Sequence, residues 1–342
     1  MSTPLIVIIA VLVFGFLIFI HEFGHFIFAR IFKVKINEFS IGMGPSLLWY
    51  DSKKTGIRYK LAMLPIGGYV AMAGEDDESD DPNSFDKKPA WQRFIITLAG
   101  AGVNIIFGFL AMIILTSMIN VGNTKIHSFA EGSTSSEALM VGDEILEVEG
   151  KRVSIADELA YEIMRYGNEP VDILVLRNGE EVFLPDVKFP TAEESGQVFG
   201  QLDFAVTRVE KNFGVVMSYS FNKSCLIVRM CWESIVDLIT GRYTLAAVSG
   251  PVGISSAIGE AAANGFASLL YIVVVISINL GFMNLLPIPA LDGGRLLTVL
   301  FEMITKKRLP KRLEGIINSV GLILLLILSF VIMIKDVIGL VI

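Results

Sequence analysis

The chain has 342 residues, 53% of them hydrophobic and 18% charged, and its mean hydropathy is +0.63. Soluble domains hold about 45–50% apolar and about 25% charged residues, so this composition argues for a membrane protein. The formal net charge of −7, from 28 Lys and Arg against 35 Asp and Glu, leaves no broad basic surface for nucleic acid. The two cysteines, Cys225 and Cys231, lie six apart in a stretch of helical pattern. About 9 Å of helical rise separates them, too far for a disulfide.

A hydrocarbon core about 30 Å thick is crossed by roughly 20 apolar helical residues. Four runs meet that length: 4–29, 94–119, 266–286 and 316–334. The first has no basic n-region, exceeds the length of a signal-peptide core and is followed by no small-residue cleavage site, so it is expected to be retained. Cytoplasmic flanks carry the excess of Lys and Arg. Such residues cluster at Arg30, Lys33 and Lys35, at Lys87, Lys88 and Arg93, and between Lys306 and Arg312, whereas the tail after the last run has only Lys335. Both termini and the segment 121–265 are therefore expected outside the cytoplasm.

Between the first two spans, β-branched and aromatic residues around Pro65 and Gly67-Gly68 predict a hairpin over 57–73. Its apolarity suggests that it dips into the membrane, where backbone polar groups need protein or a cavity to satisfy them. The following stretch, 75–88, reads as a solvated acidic linker. Outside, 138–150 gives a Gly-Asp turn and an alternating strand, followed by a helical stretch near 157–166 and a strand at 171–177 ending in Asn178-Gly179. This pattern resembles the core of a PDZ domain, with Ala138 where the usual pattern has Gly. Such a fold can add a peptide strand to its sheet edge, and a rigid spacer or size filter is an equal alternative. Within 213–240, Asn222, Arg229, Glu233 and Asp237 share one helical face, which predicts an interfacial helix, with a fifth span as the alternative.

His21-Glu22-Phe23-Gly24-His25 is H-E-x-x-H. On a helix the two imidazoles lie one turn apart on one face and can reach one tetrahedral zinc, with Glu22 beside the metal to take a proton from water. Ionisable groups inside an apolar run are costly and point to function rather than to snorkelling side chains. A catalytic zinc needs a third protein ligand. His127 follows the second span on the opposite side. Asp292 follows the third span in Pro287-Ile288-Pro289-Ala290-Leu291-Asp292-Gly293-Gly294, where the prolines end the helix and the glycines allow close backbone approach.

H-E-x-x-H in the first span, N-x-x-P-x-x-x-L-D-G-G after the third and a PDZ-like insert between the second and third resemble the site-2 protease family of intramembrane zinc metalloproteases, in its shorter bacterial RseP/RasP-type form. The resemblance implies one zinc on His21, His25 and Asp292, Glu22 as general base and Asn284 as a substrate contact. It also implies that the hairpin, including Gly67, Gly68 and Tyr69, holds the substrate as an added strand. The substrates implied are single-span membrane proteins, cut within the bilayer of the bacterial inner membrane after an upstream site-1 protease. The family's A-G-P-x-x-N lacks its proline here, at Ala99-Gly100-Ala101-Gly102-Val103-Asn104. A metal or proton transporter would show paired internal repeats with broken helices, and only one broken span is visible. A silent scaffold would have no need of Glu22.

The expected fold is thus a polytopic α-helical membrane protein with four transmembrane helices, a cytoplasmic-side re-entrant β-hairpin and an extracytoplasmic PDZ-like α+β domain. The expected segments are the first span (1–32), a cytoplasmic loop with the hairpin (33–93), the second span (94–120), the PDZ-like domain (121–190) and a linker with the interfacial helix (191–265). The third span with the Asp292 motif (266–294), a basic loop (295–315) and the fourth span (316–342) complete the chain.

Overall fold

The computed structural model describes residues 2–75, 79–194, 197–242 and 248–341. In chain order the elements begin with α1 (Thr3–Ile31), the strands β1 (Ile36–Asp51) and β2 (Arg58–Met72), and α2 (Ala90–Met118). There follow β3 (Gly122–Phe129), β4 (Glu144–Val148), β5 (Lys151–Arg152), α3 (Ala156–Tyr166), β6 (Val171–Arg177) and β7 (Glu180–Val187). Next come β8 (Thr191–Glu194), β9 (Gln197–Gly200), β10 (Phe204–Arg208) and α4 (Phe213–Thr240). The chain ends with α5 (Pro251–Ala263), α6 (Phe266–Asn284), α7 (Asp292–Thr305) and α8 (Lys311–Val341). It divides into two compact units, one of 1–111 with 238–342 and one of 112–237.

The four predicted apolar runs are helices long and apolar enough to cross a membrane: Pro4–Ile31, Ala90–Met118, Phe266–Asn284 and Lys311–Asp336. The hairpin is larger than the 57–73 expected from sequence. Its partner strand is β1, and Gly67 and Gly68 lie within β2 rather than in the turn. The pair is bent, so Phe39 is registered with both Val70 and Tyr59, and Asp51 with Arg58. One end packs on α1 through Phe39, Phe26, Phe19 and Tyr59 around buried Ile36, Val70 and Met72. The pair also exposes Leu48, Trp49, Tyr50, Met63 and Leu64.

Two short helices lie where linkers were expected. α5 packs against α1, α6 and α8, with Gly259 facing Ile6 and the Gly253 amide donating to Asp336 Oδ2 at 3.0 Å. That places the Ser249-Gly250-Pro251-Val252-Gly253 motif at a helix start closed by a carboxylate, a favourable charge for a helix N-terminus. α7 occupies half of the expected basic loop and buries Gly293, Leu296 and Val299. Part of the predicted acidic linker, 76–78, lies outside the described residues.

The second unit is a sheet ordered β10-β3-β4-β6-β7, with β5 on β4, packed with α3 around Ile145, Val148, Leu159, Ile163, Ile173 and Val175. Asn178 and Gly179, both at positive φ, turn β6 into β7 as a two-residue hairpin demands. Asp143 of the Gly-Asp turn is buried, accepting from the Met140 amide and from Arg177. The sheet does not end at 190, because β10 supplies the strand beside β3. The polar stripe of α4, expected at a membrane interface, is engaged by α3 and β5. Arg229 pairs with Glu162, Glu233 accepts from Lys151 at 3.0 Å and Tyr161 at 2.7 Å, and Asp237 takes a two-point bond from Arg165 at 2.5 and 2.8 Å.

Candidate metal centre

Every residue of the centre belongs to the first unit. His21 and His25 project from one face of α1, as their spacing of four requires. Asp292 is the first residue of α7, where a helix N-terminus favours a carboxylate. The route to it is sharp: α6 ends at Asn284, Pro287 and Pro289 prevent its continuation, and Ala290 adopts φ +74°. Gly293 and Gly294 then lie so close to the carbonyls of Leu285, Leu286 and Ile288 that no Cβ fits, which is the close approach expected of that pair.

The three side chains converge. His21 Nε2 and His25 Nε2 each lie 3.2 Å from Asp292 Oδ2 and 3.3 Å from one another. A tetrahedral zinc with ligands at 2.0–2.1 Å spaces them by about 3.3 Å, so the donor set fits that ion in both type and separation. His25 Nδ1 donates to the Ile96 carbonyl at 2.9 Å, which leaves Nε2 with its lone pair directed at the centre. Asp292 Oδ2, although buried, has no hydrogen-bond donor among the described residues. Among them this is also the only group of three His, Cys, Asp or Glu close enough together to hold a metal.

Two glycines make the geometry possible. At Gly100 of α2 a Cβ would occupy the His25 ring, so the missing side chain is the imidazole's space. At Gly68 a Cβ would come within 3.0 Å of Glu22 Cγ and of the Ser40 carbonyl, so β2 passes directly over the Glu22 side chain. A cavity of about 750 Å³ opens here, lined by His21, Glu22, His25, Asn37, the strand residues 69–73, Glu75, Thr97, Ala290, Asp292 and Arg295. The segment 68–72 is registered with 36–41 of β1, no partner is registered on its other edge among the described residues, and 69–72 line the cavity. Tyr69 lines it with its hydroxyl engaged by Glu38 and by Lys60, the latter at 3.3 Å.

Of the residues singled out from sequence, His21, Glu22, His25, Asp292 and Tyr69 share this cavity, and Gly68 borders Glu22. Asn284 does not line it; its amide turns back to the Leu280 carbonyl at 3.0 Å. Gly67, at φ +83°, packs against Met43. Gly100, Glu75 and Arg295 escaped the sequence reading. Only Gly100 had a local signal, its place in the Ala99-Gly100 motif.

A helix-borne H-E-x-x-H facing an aspartate, in a frame of membrane-length helices, is the pattern of a membrane-embedded metallopeptidase. The chain belongs to peptidase family M50, whose model matches residues 9–328. A protein of Fusobacterium nucleatum that bears a zinc metalloprotease name is 36% identical, covering 96% of this chain and 98% of its own. One of Clostridium acetobutylicum, similarly named, is 34% identical over 97% of both chains. The zinc metalloprotease RasP of Geobacillus kaustophilus is 27% identical over 96% of both.

Proposed function

We propose that this chain is an intramembrane zinc metalloprotease that hydrolyses a peptide bond within the transmembrane segment of single-span membrane proteins. The convergence of His21, His25 and Asp292 beside Glu22, in a cavity walled by a strand edge, carries the reading. His21, His25 and Asp292 would hold one zinc. When bound, that ion supplies a Lewis acid that acidifies water and polarises a carbonyl. Glu22 accepts the proton of the attacking water and delivers it to the leaving amine, so the peptide bond is exchanged for a carboxylate and an amine.

A transmembrane helix hides its carbonyls in i to i−4 bonds and must unwind to be cut. The open edge of 68–72 offers partners for the freed backbone groups, so the substrate lies there as an added strand. The exposed apolar residues of the hairpin then rest in the bilayer. The sheet of the second unit, a PDZ-like fold, is read as an extracytoplasmic filter that admits substrates already trimmed by an upstream protease. The basic flanks support an orientation in a bacterial inner membrane with both termini outside and the metal centre near the cytoplasmic side.

The test is cleavage of a tagged single-span protein by the purified, detergent-solubilised chain, with zinc measured alongside. Glu22→Gln is expected to lower turnover by at least about 10²–10⁴-fold while zinc stays bound. A wild-type protein that binds zinc and cuts no single-span substrate, or a Glu22→Gln protein that cuts normally, overturns the proposal.

A further inference from the structure

The centre has a companion ion pair that the chemistry above does not use. Arg295 sits one turn after Asp292 on α7, and its Nη1 is bound to Glu75 Oε1. Glu75 directly follows Gly74 at the exit of the strand that lines the metal cavity, and its amide is 3.4 Å from the Met72 carbonyl. Both side chains are part of that cavity's wall and also of the wall of a second, charged cavity of about 300 Å³ beside it. At the far end of α7, Glu302 is bound by Arg93 of α2 at 2.6 Å and by Arg308 at 3.0 Å.

α7 is therefore tied at each end to a different element. Glu302 ties it to α2, and Arg295 ties its metal-facing turn to the strand exit. Glu75 and Arg295 are only 15% and 31% exposed, so this bond is less screened than a surface pair. A strand that presents substrate and a helix that presents a metal ligand must keep a fixed register, because a displacement of about 1 Å can cost about 100-fold in rate.

We infer that Glu75 and Arg295 are positioning residues: their ion pair sets the register of the cavity-lining strand 69–73 against Asp292, and so fixes which substrate bond meets the metal. The inference rests on the proposed proteolysis, and it extends that reading from how a bond is cut to which bond is chosen. Glu75 and Arg295 move no proton.

The experiment compares wild type, Glu75→Gln, Arg295→Gln and the exchanged pair Glu75→Arg with Arg295→Glu, all as full chains in detergent. Zinc content, the masses of the cleavage products and hydrogen exchange of the 69–75 segment are measured. With zinc unchanged, the single variants are expected to cut at additional neighbouring bonds, with kcat/KM down about 10–100-fold and exchange in 69–75 faster. The exchanged pair restores a narrow cut and slow exchange. A fully zinc-loaded single variant with an unchanged product set and unchanged exchange overturns the inference. So does loss of zinc in both single variants, which would make the pair a support of the ligands instead. A zinc-loaded single variant that only cuts less, at the same bond, overturns it as well. If wild type cuts nothing, the proteolytic reading fails and the exchange measurement alone decides the clasp.

Discussion

The metal centre and the α3–α4 seam use charged residues in opposite ways. In the seam, acid meets base: Arg165 grips Asp237, Lys151 and Tyr161 meet Glu233, and Arg229 meets Glu162. At the centre, three electron-pair donors face one another at 3.2–3.3 Å, and the buried Asp292 Oδ2 has no hydrogen-bond donor among the described residues. The first arrangement sets opposite charges against one another as folded and does structural work. The second is complete only around a cation, and that asymmetry separates a scaffold from a site.

The sharpest way to break the contrast is to remove a donor from each. His21→Ala or Asp292→Asn is expected to abolish stoichiometric zinc and reduce proteolysis to background, with the four-helix frame intact by circular dichroism. Arg165→Met removes the two-point bond to buried Asp237, and breaking such a pair is expected to cost up to about 3–5 kcal/mol. Faster hydrogen exchange through α3 and α4 would register it, while zinc content stays at the wild-type level. Replacing both Arg165 and Asp237 with apolar residues should recover much of the loss.

A subtler change probes space rather than charge. Gly100→Ala puts a Cβ into the His25 ring, and displacing a ligand in this way is expected to weaken zinc binding by about 10–100-fold. Competition with a chelator measures it. The smallest effect is on pH dependence. Burial raises the Glu302 carboxyl, but the hydrogen bonds from Arg93 and Arg308 outweigh it and hold the group below its ordinary value. A depressed carboxylate stabilises the fold above its unfolded value of 4.5 and loses that contribution as pH falls through the folded one. Thermal unfolding followed from about pH 5 down toward pH 3 should therefore show a shallower acid decline in Glu302→Gln, the difference amounting to about 1 kcal/mol or less.

The sequence made the centre legible because its parts are short-range. H-E-x-x-H needs only a helix, and the proline and glycine pairs around Asp292 state a sharp turn and a close approach. The four spans were legible by length and apolarity. What escaped is relational. The stripe of Arg229, Glu233 and Asp237 was visible, yet the same stripe suits water, lipid headgroups or a charged helix, and only folding supplies α3. β1 was missed because its pairing with β2 joins residues across a turn that carries no strong hairpin dipeptide. α5 and α7 are too short for a search tuned to membrane crossings. Gly100 acts through a ring 75 positions away, which no local pattern records.

Ala290, two residues before Asp292, holds a backbone conformation that side chains rarely adopt. A residue with a Cβ held at φ +74° sits about 1 kcal/mol or more above a relaxed one, and glycine would relieve it. The loop that delivers Asp292 thus carries stored backbone strain. A more stable chain is easy to write at this position, and it would aim less well.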